Sequence, residues 1–431
     1  MGINSKRVKK AGAVAASMMV GALALSGCSV TGAGTTEGAK GDGTGTVNAL
    51  FMKQAGYSED DVAKMIAEFE AQNPEITVEP TFVSYEALHD KIVTAAPAGT
   101  YDVFLTDVIW PAEFASKGVA LDLTDRIPES WKDDVLGGAL DTGKYQDKYY
   151  GVPLFPSTKL FYYNTELVES VGATEADLQT WDGVLDVAAK IKEQENIEFP
   201  LAWSWSQAEA LICDYAQLLG SFGGEFTDAD GNLAINSPEG VETLQWMMDS
   251  MESGLTNPAS TTFLEDDVTK SLAQGQTAFA LNWESTLRDL DDPSISKVVG
   301  KVAVMQTPAG PSGDRRGVNG SMAMSIGSQS KNQDAAWTFV EFMSSQENQE
   351  QYAASSMPNW KASYENAELT KSNPAVFKAA GQQFDDMIAR PVMESYNSVS
   401  QTIQVELQNA LLGKKTAQEA LDDAVAAANK G

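Results

Sequence analysis

Apolar and polar positions recur along this chain with two periods, and the switches between them outline its secondary structure. Residues 46–52 (TVNALFM) form an apolar run of strand length. Ser58 then stands three residues before Asp61, the spacing of a capping box, and Val62, Ile66 and Phe69 follow on one helical face until Pro74. Residues 75–83 alternate as a strand, 84–99 place Leu88, Ile92 and Val93 on one side of a helix, and 101–107 (YDVFLTD) predict a third strand. This β-α-β-α-β order predicts parallel strands with crossover helices. Ligands of such open sheets collect beyond the carboxyl ends of the strands, here residues 53–57, 84–86 and 107–110.

Helical periodicity returns at 181–194, at 208–224 and at 237–254, where a Ser-Pro-Glu start leads to a stop at Gly254. Strand patterns cover 276–283, 301–308 and 321–327. An amphipathic helix is predicted over 332–345, and the tail from Pro391 onward is almost all helical. There is no internal repeat, and residues 29–45 are the one low-complexity stretch.

The first residues follow a different logic. Lys6, Arg7, Lys9 and Lys10 precede an apolar run over 11–25, shorter than the ~20 residues a membrane span needs but suited to a secretory signal. The run ends in Leu25-Ser26-Gly27-Cys28, which resembles a bacterial lipobox. That resemblance implies a signal peptide over 1–27, a diacylglycerol on Cys28, and a flexible tether through residue 45. An ordinary signal peptide with an incidental cysteine is the alternative.

At 431 residues the chain is long enough for more than one domain-sized core. The net charge is −30, and loss of residues 1–27, with four basic and no acidic side chains, makes it −34. A surface this acidic repels nucleic acid and anionic lipid, so neither is expected as a partner and membrane contact is expected through the lipid alone. With Cys28 lipidated, Cys213 has no disulfide partner, and its helical context reads as a small buried hydrophobe. His89 is the only histidine, which excludes a Cys/His zinc cluster and two-histidine catalysis. No metal or cofactor is expected.

Several segments, in order, resemble the solute-binding lipoproteins of bacterial ABC importers, in their large extracellular sugar-binding family. They are QNPEITVEP, YDVFLTDVIWPAEFASKGVALDLTD, YYGVPLFPSTKLFYYNTELVE, DGNLAINSPEGVETLQWM, LAQGQTAFALNW, the stretch from Val302 to Met343, and ARPVMESY with the following tail. Together they cover nearly everything from Val47 to Lys430. The resemblance implies an α/β, two-lobed periplasmic-binding-protein-like fold with a hinge and an interlobe ligand cleft. It places lobe one at 46–153 with 319–368 and lobe two at 154–318 with 369–431, with hinge candidates at Val152-Pro153 and 317–320. It implies a monomer on the outer face of the cell membrane that captures a di- or oligosaccharide and delivers it to the transmembrane subunits of an ABC permease.

A sugar presents hydroxyls at its rim and C–H groups on its faces, so a tight site needs paired polar groups and aromatic rings. Asp107 and Trp110 end the third strand, where a helix cap and a core ring are the alternative roles. In FYYNTE, Tyr162 and Tyr163 point to opposite faces, so the two cannot both enter one groove with Asn164. Trp203 and Trp205 share one side of LAWSWSQ, as a stacking platform or as core. Asn282 and Trp283 follow a strand, and family members often stack a Trp there on a sugar ring. Asn319 and Gly320 lie beside the predicted crossing, where a glycine lets backbone N–H groups approach a ligand. Arg390 and Tyr396 have a spacing similar to the α-glucoside-binding branch, whereas Ser321 stands where some maltose- or trehalose-type members carry an aromatic residue. A surface salt bridge is the alternative for Arg390. Tyr85, Glu86 and Trp360 complete the candidates. A secreted glycoside hydrolase, which would need two carboxylates about 5–9 Å apart, and a sugar-sensing receptor are the rival functions.

Overall fold

The computed structural model describes residues 43–428 except 54, 55, 196 and 372. The expected signal peptide, Cys28 and most of the expected tether lie outside the described residues. The early strands are β1 (Gly45–Met52), β2 (Ile76–Val83), β3 (Val103–Asp107), β4 (Lys144–Tyr145), β5 (Lys148–Tyr149), β6 (Val152–Phe155) and β7 (Lys159–Asn164). They are followed by β8 (Leu201–Ala202), β9 (Phe279–Trp283), β10 (Val302–Met305), β11 (Gly317–Val318), β12 (Met322–Ile326) and β13 (Met387–Ile388).

Two sheets dominate. The first has the order β2-β1-β3-β12-β6; β1 runs parallel to β2 and β3, while β12 is antiparallel to β3 and β6. All five residues of β3 are buried, as a central strand covered on both faces must be, which explains its unbroken apolar run. Ser58 and Asp61 form the predicted capping box at the start of the helix Glu59–Gln72, and Val62, Met65, Ile66 and Phe69 carry that helix into the first core.

The second sheet has the order β10-β7-β9-β8. Its inner face packs on helices 181–194, 209–221 and 396–411 around Trp181, Trp203, Leu218 and Leu407, and its other face on a cluster with Leu160, Tyr162 and Phe377. The tail is helical as expected, in Tyr396–Leu411 and Ala417–Ala428. Strand structure in LAWSWSQ is confined to Leu201–Ala202; the two tryptophans lie beyond it. Among the described residues, no helix is long and apolar enough to cross a membrane.

The chain passes between the sheets more than once. The segment 156–158 leads from β6 to β7, and 319–321 leads from β11 to β12. The two segments hold each other: Gly320 N–H donates to Ser157 O at 2.9 Å and Ser157 N–H to Ser321 Oγ at 3.1 Å. β6 continues in the first sheet through Phe155, and Val318 packs in the second core. Between 345 and 365 the chain serves both sides, Tyr352 and Trp360 in the first core, Ala353 and Met357 in the cluster behind the second sheet.

Glu284 is buried beside this junction and accepts from Ser157 Oγ at 2.8 Å and Thr158 N–H at 3.3 Å. Burial outweighs these bonds and pushes its carboxyl up to about 7. A carboxyl raised on folding contributes stability that is complete below its ordinary range and is lost as the pH rises through about 7. Glu284→Gln, fixed in the neutral form, should therefore melt above the parent at about pH 8 and converge with it near pH 4.5. Parallel melting curves across that range would contradict the assignment.

Candidate functional site

The carboxyl ends of β1, β2 and β3 converge on a cavity of about 410 Å³ between the two sheets, within the range of small-ligand pockets, about 300–1,000 Å³. Met52, Tyr85, Glu86, Asp107 and Trp110 line it from the first sheet's side. Glu209, Glu265, Asp266, Asn282 and Trp283 line it from the second, with Gly320 and Arg390 at the junction.

Asp107, at the end of β3, sits at the floor. It accepts from Tyr85 Oη at 2.7 Å, from Ile109 N–H at 3.3 Å and from Arg390 Nη2 at 3.0 Å. Arg390 follows β13, is 3 % exposed, and bonds Glu209 Oε1 through Nη1 at 2.7 Å and Asn319 O through Nη2 at 3.1 Å. It is thus no surface salt bridge: one guanidinium ties a carboxylate of each side. Burial opposes its charge, but Asp107, Glu209 and neighbouring groups hold it protonated, well above its ordinary range. Burial raises Glu209, against the lowering effect of Arg390, Ser400 and Tyr396. Two donors on this wall, Arg390 Nε and Trp110 Nε1, are buried and find no partner among the described residues. An unpaired buried donor costs about 1–3 kcal/mol, a cost that a ligand oxygen would relieve.

Two aromatic surfaces face the space. One is Tyr85, partly exposed and backed by the Trp110 ring, which is buried in the first core, with centroids 5.8 Å apart and rings 17° from parallel. Trp283, partly exposed, stands at the end of β9. Acidic groups outnumber basic ones: Glu86, Asp90, Asp107, Glu209, Glu265, Asp266 and Asp289 against Arg390 and His89. Burial raises Asp266, and Asp267, Asp289 and Glu86 add to it against Lys270. Such a lining accepts hydrogen bonds far more than it donates them, which suits a hydroxyl-rich solute and disfavours an anion.

Of the residues singled out in the sequence, Tyr85, Glu86, Asp107, Trp110, Asn282, Trp283, Gly320 and Arg390 are brought together on this wall. The others are not. Tyr162 lies behind the second sheet and donates to Trp283 O at 2.8 Å, while Tyr163 donates to Glu175 at 2.9 Å. Asn164 caps the helix Thr165–Ser170. Trp203 and Trp205 are fully buried and stack on each other, 5.2 Å apart at 7°, so their faces serve the core. Trp360 packs edge-on against Trp131 in the first core and donates to Ser344 O at 3.1 Å. Asn319 and Tyr396 stand one step back: Asn319 O receives Arg390, and Tyr396 Oη donates to Glu209 Oε1 at 2.5 Å. Gly320 does not offer its N–H to a ligand as expected, because that group already donates to Ser157 O. Cys213 is buried as expected, and burial pushes its thiol up.

Sequence reasoning passed over Glu209, Glu265, Asp266 and a polar stripe on the helix Tyr396–Leu411. Asn397, Ser400, Gln401 and Gln404 all line the cavity. Their helical spacing, on a face beside that of Val399, Ile403 and Leu407, was the available signal. Asn397 also meets His89 across the two sides, with Nδ2 2.6 Å from His89 Nε2, which pairs with Glu113 at 2.9 Å. Burial opposes the His89 charge, yet its bonds to Glu113 and Asp90 raise it.

Comparison with known proteins agrees with this architecture. Residues 55–350 match the model of the bacterial extracellular solute-binding proteins. The maltose-bound MalE3 of T. maritima superimposes with a TM-score of 0.83 at 30% identity, over 89% of this chain and 99% of that one. A solute-binding protein of an ABC transporter from Thermotoga lettingae, bound to α-D-tagatose, gives 0.81 at 26% identity, over 89% and 99%. A probable ABC transporter-binding protein of Deinococcus radiodurans is 27% identical over 337 residues, 76% of this chain and 79% of that protein. The family match spans well over half the sequence, and the chain belongs to the bacterial extracellular solute-binding proteins, which hold a solute rather than convert it.

Proposed function

We propose that this protein is the carbohydrate-capturing component of an ABC importer, taking a di- or oligosaccharide with a preference for α-linked glucose. The observation that carries this reading is the cavity wall itself. Trp283 and Tyr85 offer apolar faces, while Asp107, Arg390 and Glu209 offer fixed polar groups beside two unpaired buried donors. Sugar complexes among its structural relatives support it, maltose in one and α-D-tagatose in another. Ligand would bridge the two sides in the closed form only, and closure would be the signal that the permease subunits read. A lipid on Cys28 and the tether behind it would keep the body near that permease.

Titration calorimetry against maltose, maltotriose, trehalose, xylobiose and mannobiose, with chromatography of the recovered sugar, tests the assignment. Saturable binding strongest for an α-glucoside, with the sugar recovered intact, is expected. Shortened products would indicate a hydrolase, preference for xylobiose or mannobiose would remove the α-glucoside assignment, and no binding at all would overturn the carbohydrate reading.

A further inference from the structure

We infer that Gly320 is a positioning residue for ligand affinity: by lacking a side chain it lets the Trp283 indole settle at the cavity wall, against a fixed ammonium from Lys159. This rests on the reading of the cavity as the ligand site. Lys159 and Trp283 are directly opposed residues of the antiparallel strands β7 and β9, so their side chains share a face. Lys159 Nζ lies over the indole, 5.1 Å from the ring centroid.

A fully buried lysine is rare and is kept only with partners. Here Asp214 lies at 2.5 Å, Ser204 at 2.9 Å and Glu265 at 3.5 Å from Nζ. Asp214 is itself held by Ser204 N–H at 3.0 Å and Ser204 Oγ at 2.9 Å. The ammonium beside the ring therefore cannot wander.

Gly320 limits the ring from another direction. A Cβ at position 320 would overlap Cζ3 of Trp283 and come within 2.5 Å of Cη2 and 3.3 Å of Cε3. The Gly320 backbone does not have a positive φ, so its conformation does not demand glycine; the neighbouring indole does. Because 319–321 is bonded to 156–158, this contact ties the ring to the segments that join the two sheets. An aromatic surface already fixed in place loses little freedom when ligand arrives.

The test is a double-mutant cycle with maltose as the probe, comparing the parent, Gly320→Ala, Trp283→Ala and the double variant by calorimetry. Gly320→Ala should weaken binding about 10-fold or more, and should add nothing once Trp283 is already alanine. Parental affinity in Gly320→Ala, or losses that multiply in the double variant, would overturn the inference. A second arm needs no sugar. In ligand-free protein labelled with 5-fluorotryptophan, the ¹⁹F resonance assigned to Trp283 by its loss in Trp283→Phe should shift in Gly320→Ala while the other resonances hold. An unmoved Trp283 signal refutes the contact even if maltose is not a ligand, whereas a parent that binds no sugar but shows the shift refutes only the carbohydrate reading.

Discussion

Trp283→Ala is expected to weaken sugar binding roughly 30- to 200-fold, the equivalent of about 2–3 kcal/mol for losing one central aromatic anchor. The side chain stands at the end of β9, and its partly exposed surface is its cavity face. Truncation leaves a recess that water fills, so the ligand loses an apolar partner and the wall loses a shaped surface. The fold should survive, because the first core does not include this ring and the second core only borders it. Calorimetry with the best-bound sugar reads the first effect and a thermal melt reads the second. Parental affinity would remove Trp283 from the site, and a collapsed melt would recast it as a core residue.

Arg390→Met should cost about 3–5 kcal/mol of stability as well as binding, the usual penalty for stripping one partner from a buried ion pair. Asp107 and Glu209 would remain buried without their shared cation, Asp107 keeping Tyr85 and Glu209 keeping Tyr396 and Ser400. The Glu209 carboxyl, already raised by burial, loses the lowering effect of Arg390, so the variant's deficit should be largest at neutral pH and shrink as the pH falls and Glu209 takes up a proton. Lysine should rescue poorly, since a single ammonium cannot reproduce the guanidinium's separate Nη1 and Nη2 bonds to the two sides. Chemical denaturation at pH 7 and pH 5 measures the deficit. A deficit that is absent, or that grows on acidification, would mean that Arg390 does not neutralise this pair.

The two replacements probe different kinds of residue, and the sequence served them unequally. Trp283 was singled out at the end of an apolar strand pattern, where the resembling family often stacks a ring on a sugar, and it lines the cavity. Arg390 was legible as a residue but not as a bridge: its partners lie 283 and 181 positions away, and no local spacing encodes such a pairing. Tyr162 and Tyr163 show the opposite limit. Alternation correctly put them on opposite faces of β7, yet both faces of that strand are covered, so neither side was a groove. Trp203 and Trp205 satisfy each other by stacking, a use of two rings that looks identical in sequence to a platform for sugar. The polar stripe on the last long helix was overlooked because a hydrophilic helix face ordinarily meets solvent, and here it meets the cavity.

By itself the sequence determined most of the longer elements, the α/β class and the strand ends that carry Asp107, Trp110 and Trp283, because hydrophobic period, caps and breakers act over a few residues. Tertiary structure alone decided which polar groups converge: Arg390 between Asp107 and Glu209, Lys159 beside Trp283, and Gly320 against its ring. Those choices depend on the mutual placement of two sheets and the segments between them. Steric exclusion and the desolvation of charge act through space, and neither leaves a periodic trace along the chain.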